Sequence, residues 1–193
     1  MNAEQNLRIL GICGSLRAKS MNMAALRKAG ELMAGIGMTL EIMSLADIPM
    51  YNEDVREKGF PEPVARLRRA VAACDAVYFA SPEYNFSITG VLKNAIDWCS
   101  RPPDQPFQNK PVAMLTVSEG PLGGARNQYE LRKVLVQIWA MPLPRPEIFI
   151  GSYAVKFDAE GSLTDQATLK ILATQMTAFK DWTIRMKRAF GPN

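Results

Sequence analysis

Not one of the 193 residues is histidine. That absence removes imidazole as a general base, as a metal ligand and as the middle member of a Ser-His-Asp or Cys-His hydrolase. Cysteine is scarce too. Cys13, Cys74 and Cys99 are too far apart for a CxxC pair and too few for a disulfide framework, so a reduced, cytoplasmic setting is expected. No run of 18 apolar residues exists, and the opening MNAEQNLRILGICGS has no long apolar stretch with a cleavage site. Neither a membrane span nor a secretory leader is expected. Charge is not concentrated anywhere. The net charge is +4 and the pI about 9.0, but the densest basic clusters, Arg66/Arg68/Arg69 and Arg185/Lys187/Arg188, fall on predicted helices without interleaved aromatics. They read as solvated helix faces, and no nucleic-acid partner is expected.

What remains is an ordinary globular composition, 48% hydrophobic and 22% charged, at a length that fits one domain over residues 1–193. Five apolar strand candidates alternate with helical spacing. The strands are Arg8–Cys13, Thr39–Leu45, Ala76–Ala80, Pro111–Val117 and Glu147–Ile150. Helical spacing covers Met21–Ile36, a face with Val64, Leu67, Val71 and Cys74, then Val91–Ser100, a long segment to about Met141, and a last stretch from Leu169 to Phe190. Asp47–Pro63 reads as a Pro/Gly-rich loop. Strands alternating with amphipathic helices predict a parallel sheet covered on both faces. Five units suit an open doubly wound sheet, whereas a (β/α)8 barrel needs eight units and about 250 residues. Ligands of such sheets sit beyond the carboxyl ends of the strands, so the loops after strands one, three and four are the ones to inspect.

The first loop holds Ser15, Arg17, Lys19, Ser20, Met21 and Asn22 just before a helix start, where backbone N–H groups and the helix dipole favour an anion. An ordinary serine cap on a βα turn is the plainer reading, but so many polar donors in eight residues favour a phosphate. The string matches neither GxxxxGK[ST] nor GxGxxG, and C-x5-R fails because position 19 is lysine. The second loop, SPEYNFS, puts Pro82 directly after a buried strand and brings Tyr84 and Phe86 to the sheet edge. The third, SEGPLGG, has glycines that let backbone approach a flat ligand. Together they describe a pocket for a mononucleotide with a large planar ring.

GSLRAKSMN, SPEYNFSITGVLKNAIDW and SEGPLGGAR resemble the three signature segments of the NADPH-dependent FMN reductase family, in its chromate/quinone reductase branch, and the likeness covers essentially the whole chain. The resemblance implies a flavodoxin-like three-layer sandwich, a five-stranded parallel sheet of order 2-1-3-4-5 with helices on both faces. It implies tight, noncovalent FMN, NADPH or NADH as donor, quinones or chromate-like oxidised metals as acceptors, and a homodimer or homotetramer with active sites near the subunit interface. Ser15, Arg17, Ser20 and Asn22, with Met21 between them, would hold the FMN phosphate. Pro82, Glu83, Tyr84 and Asn85 would line the isoalloxazine and ribityl chain, and Ser118 with Gly120 would approach the ring. Glu119 stands where the resemblance leads one to expect a small or neutral residue. A carboxylate beside the ring would disfavour anionic reduced flavin, so Glu119 is expected to point to solvent. No catalytic acid or base is assigned. An azoreductase, a non-enzymatic electron carrier (usually acidic, unlike this chain) and an FMN-binding regulatory protein are the alternatives.

Overall fold

The computed structural model describes residues 6–191. The first five residues of the leader reading and the last two of the 1–193 domain range lie outside them. Strands β1 (Leu7–Cys13), β2 (Met38–Met43), β3 (Ala76–Ala80) and β4 (Pro111–Val117) pair in parallel in the order β2-β1-β3-β4. The fifth position beside β4 is filled by two short pieces. β5 (Met141–Pro142) pairs with Pro111 and Val112, and β6 (Ile148–Ile150) pairs with Leu115 through Val117. The sheet therefore has the flavodoxin-like order 2-1-3-4-5, with its last position broken in the middle.

Side chains close that break. Gln175 donates to Met114 O at 3.2 Å and Pro146 O at 2.8 Å, and accepts from the Tyr78 hydroxyl at 2.6 Å. Gln128 donates to Ile148 O at 2.7 Å and Thr116 Oγ1 at 3.1 Å. Buried backbone carbonyls that a ladder would have used thus keep partners.

Helices α1 (Met21–Ala34) and α6 (Gln166–Phe190) cover one face, burying Leu26, Met33, Leu172, Met176 and Phe179 against β1, β3 and β4. Helices α3 (Glu62–Ala73), α4 (Gly90–Cys99) and α5 (Ala125–Gln137) cover the other with Leu67, Val71, Leu92, Ile96, Leu131 and Leu135. β3 and β4 are buried along their whole length, as strands sandwiched between helical layers must be.

Two expectations about elements fail. Asp47–Pro63 contains a one-turn helix, α2 (Glu53–Arg56), capped by Asn52, whose Oδ1 accepts from Asp54 N at 2.9 Å. The fourth predicted helical segment, α5 in the structure, ends at Gln137 and does not run to Met141. Trp139 takes a left-handed φ of 59°, and Ala140 N and Trp139 N bond back to Leu135 O and Val136 O, both at 3.0 Å. That closing motif stops the helix and releases Met141 and Pro142 to the sheet.

Candidate functional site

β1 ends against Gly14, whose N–H donates to Ala80 O at 2.8 Å. A Cβ there would collide with the Ser81 side chain and crowd Thr89 Oγ1, so glycine lets the loops after β1 and β3 meet. Ser15 Oγ accepts from Arg17 N at 3.4 Å. Ser20 caps α1, its Oγ accepting from Met23 N at 3.2 Å while Ala24 N reaches Ser20 O at 3.0 Å. The amides of Met21 and Asn22 are left at the open helix start, the place where an anion is stabilised. Asn22 is engaged otherwise. Its amide donates to Val117 O at 3.0 Å and accepts from Val117 N at 2.9 Å, tying α1 to the end of β4. The side chains of Arg17 and Lys19 are exposed and have no partner among the described residues.

The loop after β3 is a miniature hairpin. Tyr84 N and Ser87 O bond at 3.1 Å, and Ser87 N and Tyr84 O at 3.0 Å. Asn85 and Phe86 between them both have positive φ, 52° and 66°. Asparagine suits the first such place, but the second normally holds glycine, so Phe86 is strained. Its exposed ring lies 4.0 Å beneath the Arg126 guanidinium. Glu83 anchors the same segment. Its carboxylate accepts from Arg126 N at 3.0 Å, Asn127 N at 3.3 Å and Arg126 Nη1 at 3.2 Å. The N-cap of α5 is Gly124, which has no side chain to offer, so Glu83 supplies the cap from a distant loop. Buried Asn127 completes the anchor by donating to Pro82 O at 2.6 Å, with Ser81 Oγ and Ser87 O at 3.3 and 3.4 Å.

The loop after β4 is clamped to the segment beyond β6. Ser118 N donates to Ile150 O at 3.0 Å, Tyr153 N to Ser118 O at 3.4 Å, and Ser152 N to Gly120 O at 3.2 Å. The Ser118 hydroxyl also bonds Gly120 O at 3.0 Å. Gly151 has no room for a Cβ against the Pro121 carbonyl.

These three loops enclose a cavity of about 270 Å³ at the carboxyl ends of β1, β3 and β4. Ser15, Arg17, Ser20, Met21, Asn22, Pro82, Glu83, Tyr84, Ser118 and Glu119 line it, ten of the twelve residues singled out from the sequence. Asn85, at the hairpin tip, and Gly120 do not. Glu119 is exposed, as expected, yet also part of the lining. Sequence reasoning missed Val117 and Tyr153. Val117 was readable as the last residue of a strand, whereas Tyr153 arrives on a short 3-10 turn (Tyr153–Val155) with no local motif. A larger hollow of about 650 Å³ lies between α3 and the loop after α4, but draws no lining from these loops.

The cavity offers no obvious chemistry of its own. Burial raises the pKa of Cys13 despite opposing contacts from Ser15 and Ser20, raises Cys74, and pushes Cys99 up to about 12. Neutral thiols are poor nucleophiles. Among the described residues no cluster of three or more Cys, Asp or Glu could hold a metal, and no helix is long and apolar enough to cross a membrane.

Comparison with known proteins places the chain in a family. The family model for NADPH-dependent FMN reductase matches residues 7–155. The NAD(P)H-dependent FMN reductase of Pseudomonas aeruginosa is 48% identical over 182 residues, covering 94% of this chain and 98% of the relative. A quinone reductase of Escherichia coli K12 is 42% identical over 185 residues, covering 95% and 98%. Among solved structures, the flavoenzyme NAD(P)H:(acceptor) oxidoreductase FerB of Paracoccus denitrificans superposes with a TM-score of 0.85 at 34% identity, covering 93% and 98%. The chain belongs to the NADPH-dependent FMN reductase family.

Proposed function

We propose that this chain is one FMN-binding domain that oxidises NAD(P)H and reduces quinones and oxidised metals such as chromate. The observation that carries the reading is the convergence of ten candidate residues from three separate loops on one cavity. The fit to FMN rests on chemistry left unengaged within the chain. The Ser15 hydroxyl proton, the Arg17 guanidinium and the first amides of α1 have no partners among the described residues, and a terminal phosphate of roughly −1.5 to −2 charges would accept from all of them. Ser20 and Asn22 build the cradle more than they donate to it, because their side chains cap α1 and clamp Val117. Glu83 holds the hairpin so that Tyr84 faces the ring end, and Ser118 presents its clamped backbone there.

Held by Ser15, Arg17 and the first amides of α1, FMN would supply the hydride- and electron-transfer chemistry between nicotinamide and acceptor. The protein binds, orients and sets the local field. Donor and acceptor share the one opening between the loops, so they occupy it in turn, and turnover is ping-pong. The relatives' names support quinones as one acceptor class. A homodimer or homotetramer in the cytoplasm completes the proposal. An absorbance scan of the purified protein, repeated anaerobically after NADPH, tests it. A flavin spectrum that bleaches on addition is expected, with released cofactor co-migrating with FMN. A protein that stays colourless on reconstitution, or releases FAD, overturns it. Rates against NADPH at several benzoquinone concentrations should give parallel double-reciprocal lines; intersecting lines would rule out the shared opening.

A further inference from the structure

Only three residues lining the cavity carry formal charge: Arg17, Glu83 and Glu119. Glu83 is engaged by Arg126, through an ion pair at 3.2 Å and the amides of α5. Arg17 belongs to the phosphate end of the proposed FMN site, where the cofactor's own charge offsets it. Glu119 is left. It is exposed and has no cation within ion-pair distance among the described residues.

Its mount is stiff. The residue before it bonds Ile150 O and receives Tyr153 N, and the residue after it accepts from Ser152 N and the Ser118 hydroxyl. Gly123, at φ 63°, packs where any Cβ would strike the Phe149 backbone, and Gly151 is pressed against Pro121. With both neighbours pinned on a glycine-tight seam, the Glu119 backbone has little freedom to swing clear of the rim. The backbone that carries Glu119 is held beside the opening, so its carboxylate, though free to change rotamer, remains within a side chain's reach of the rim.

We infer that Glu119 is a specificity-determining residue that tilts acceptor choice toward neutral planar oxidants and against anionic ones. The inference rests on the FMN reading above and sorts its two acceptor classes, placing quinones ahead of oxyanions such as chromate. The carboxylate adds one repulsive charge to each approach of an anion and none to that of a neutral ring. The two test reactions balance differently. Benzoquinone takes the two electrons and the proton delivered by NADPH plus one proton from water, giving hydroquinone. Two ferricyanide trianions take one electron each, and the proton is released.

The test is the ratio of kcat/KM for ferricyanide to kcat/KM for benzoquinone, with NADPH as donor, in wild type, Glu119→Asp, Glu119→Gln and Glu119→Lys. The ratio should rise about 3- to 10-fold in Glu119→Gln at low ionic strength, as expected for removing one charge near a trianion across several ångströms of water. It should rise further in Glu119→Lys, stay near wild type in Glu119→Asp, and converge at about 1 M salt, where the screening length is about 3 Å. A ratio that ignores charge, or a change that persists in high salt, overturns the inference. A wild type that bleaches with NADPH but reduces no benzoquinone overturns instead the acceptor reading on which it rests.

Discussion

At the amino ends of the strands, polar side chains are matched. Asp75 accepts from the Arg8 amide at 2.7 Å and pairs with Lys187. Lys110 donates to the terminal carbonyls of the α3 region at Ala72 and Cys74, at 3.3 and 2.7 Å. Arg68, buried under Phe60, does the same for α4, reaching Trp98 O and Cys99 O at 3.1 and 2.9 Å and then Asp104 O at 2.7 Å. At the carboxyl ends, Arg17, Lys19 and Glu119 have no partner among the described residues. Both ends contain charge. One end uses it to close helix termini; the other, besides the Glu83 cap on α5, leaves Arg17, Lys19 and Glu119 unengaged, the last on backbone that is itself well bonded. An unengaged polar group on a rigid mount is a better guide to a binding site than polarity alone.

That contrast can be broken at either end. The largest effect is expected from Arg68→Met, which strands three carbonyls beneath α3 and should cost about 2–4 kcal/mol of stability. Denaturant midpoints would report the loss, with FMN affinity per folded molecule unchanged; a weakened FMN site would mean the two ends are coupled. Next, Arg17→Ala should weaken FMN binding by about 1.5–3 kcal/mol, the value of a charge-assisted hydrogen bond, and leave the apoprotein's midpoint in place. Fluorescence titration of apoprotein with FMN reads this directly, and an unchanged dissociation constant would move the phosphate elsewhere.

The smallest effect is that of Asp75→Asn, about 1–2 kcal/mol near neutrality. Burial alone would raise the Asp75 pKa, but Lys187 and the Arg8 amide outweigh it and hold the carboxyl below its usual range. A depressed folded pKa contributes stability above the unfolded value of about 3.9, and that contribution is lost as pH falls through the folded value. The gap between wild type and Asp75→Asn should therefore be full at pH 7 and shrink below about pH 4. A gap independent of pH would assign the effect to packing.

Much of this was legible in the chain. The parallel sheet and the loops to inspect followed from apolar runs alternating with helical spacing, the strand order was implied by the family resemblance, and the first loop was visible as donors crowded before a helix. What escaped is instructive. α2 was locally written, with Asn52 before Glu53 and Asp54, but lay inside a segment dominated by proline and glycine. The clamping contacts of Asn22 and Glu83 could not be read locally, because their partners Val117 and Arg126 lie 95 and 43 residues away. A side chain that looks like a ligand donor in sequence can be a long-range clamp in space. The end of α5 was missed because Trp139 takes the left-handed position usually given to glycine, although Pro142 soon after was a readable stop.

The broken fifth strand position has a bearing on solubility. An unbroken edge strand offers a row of N–H and C=O groups on which another chain can add a strand. Here the edge consists of two and three paired residues, and Pro142, Pro144 and Pro146 remove every second donor between them. Gln175 and Gln128 occupy inner carbonyls from within. The molecule thus reaches the full width of its sheet without presenting a template for aggregation on that side.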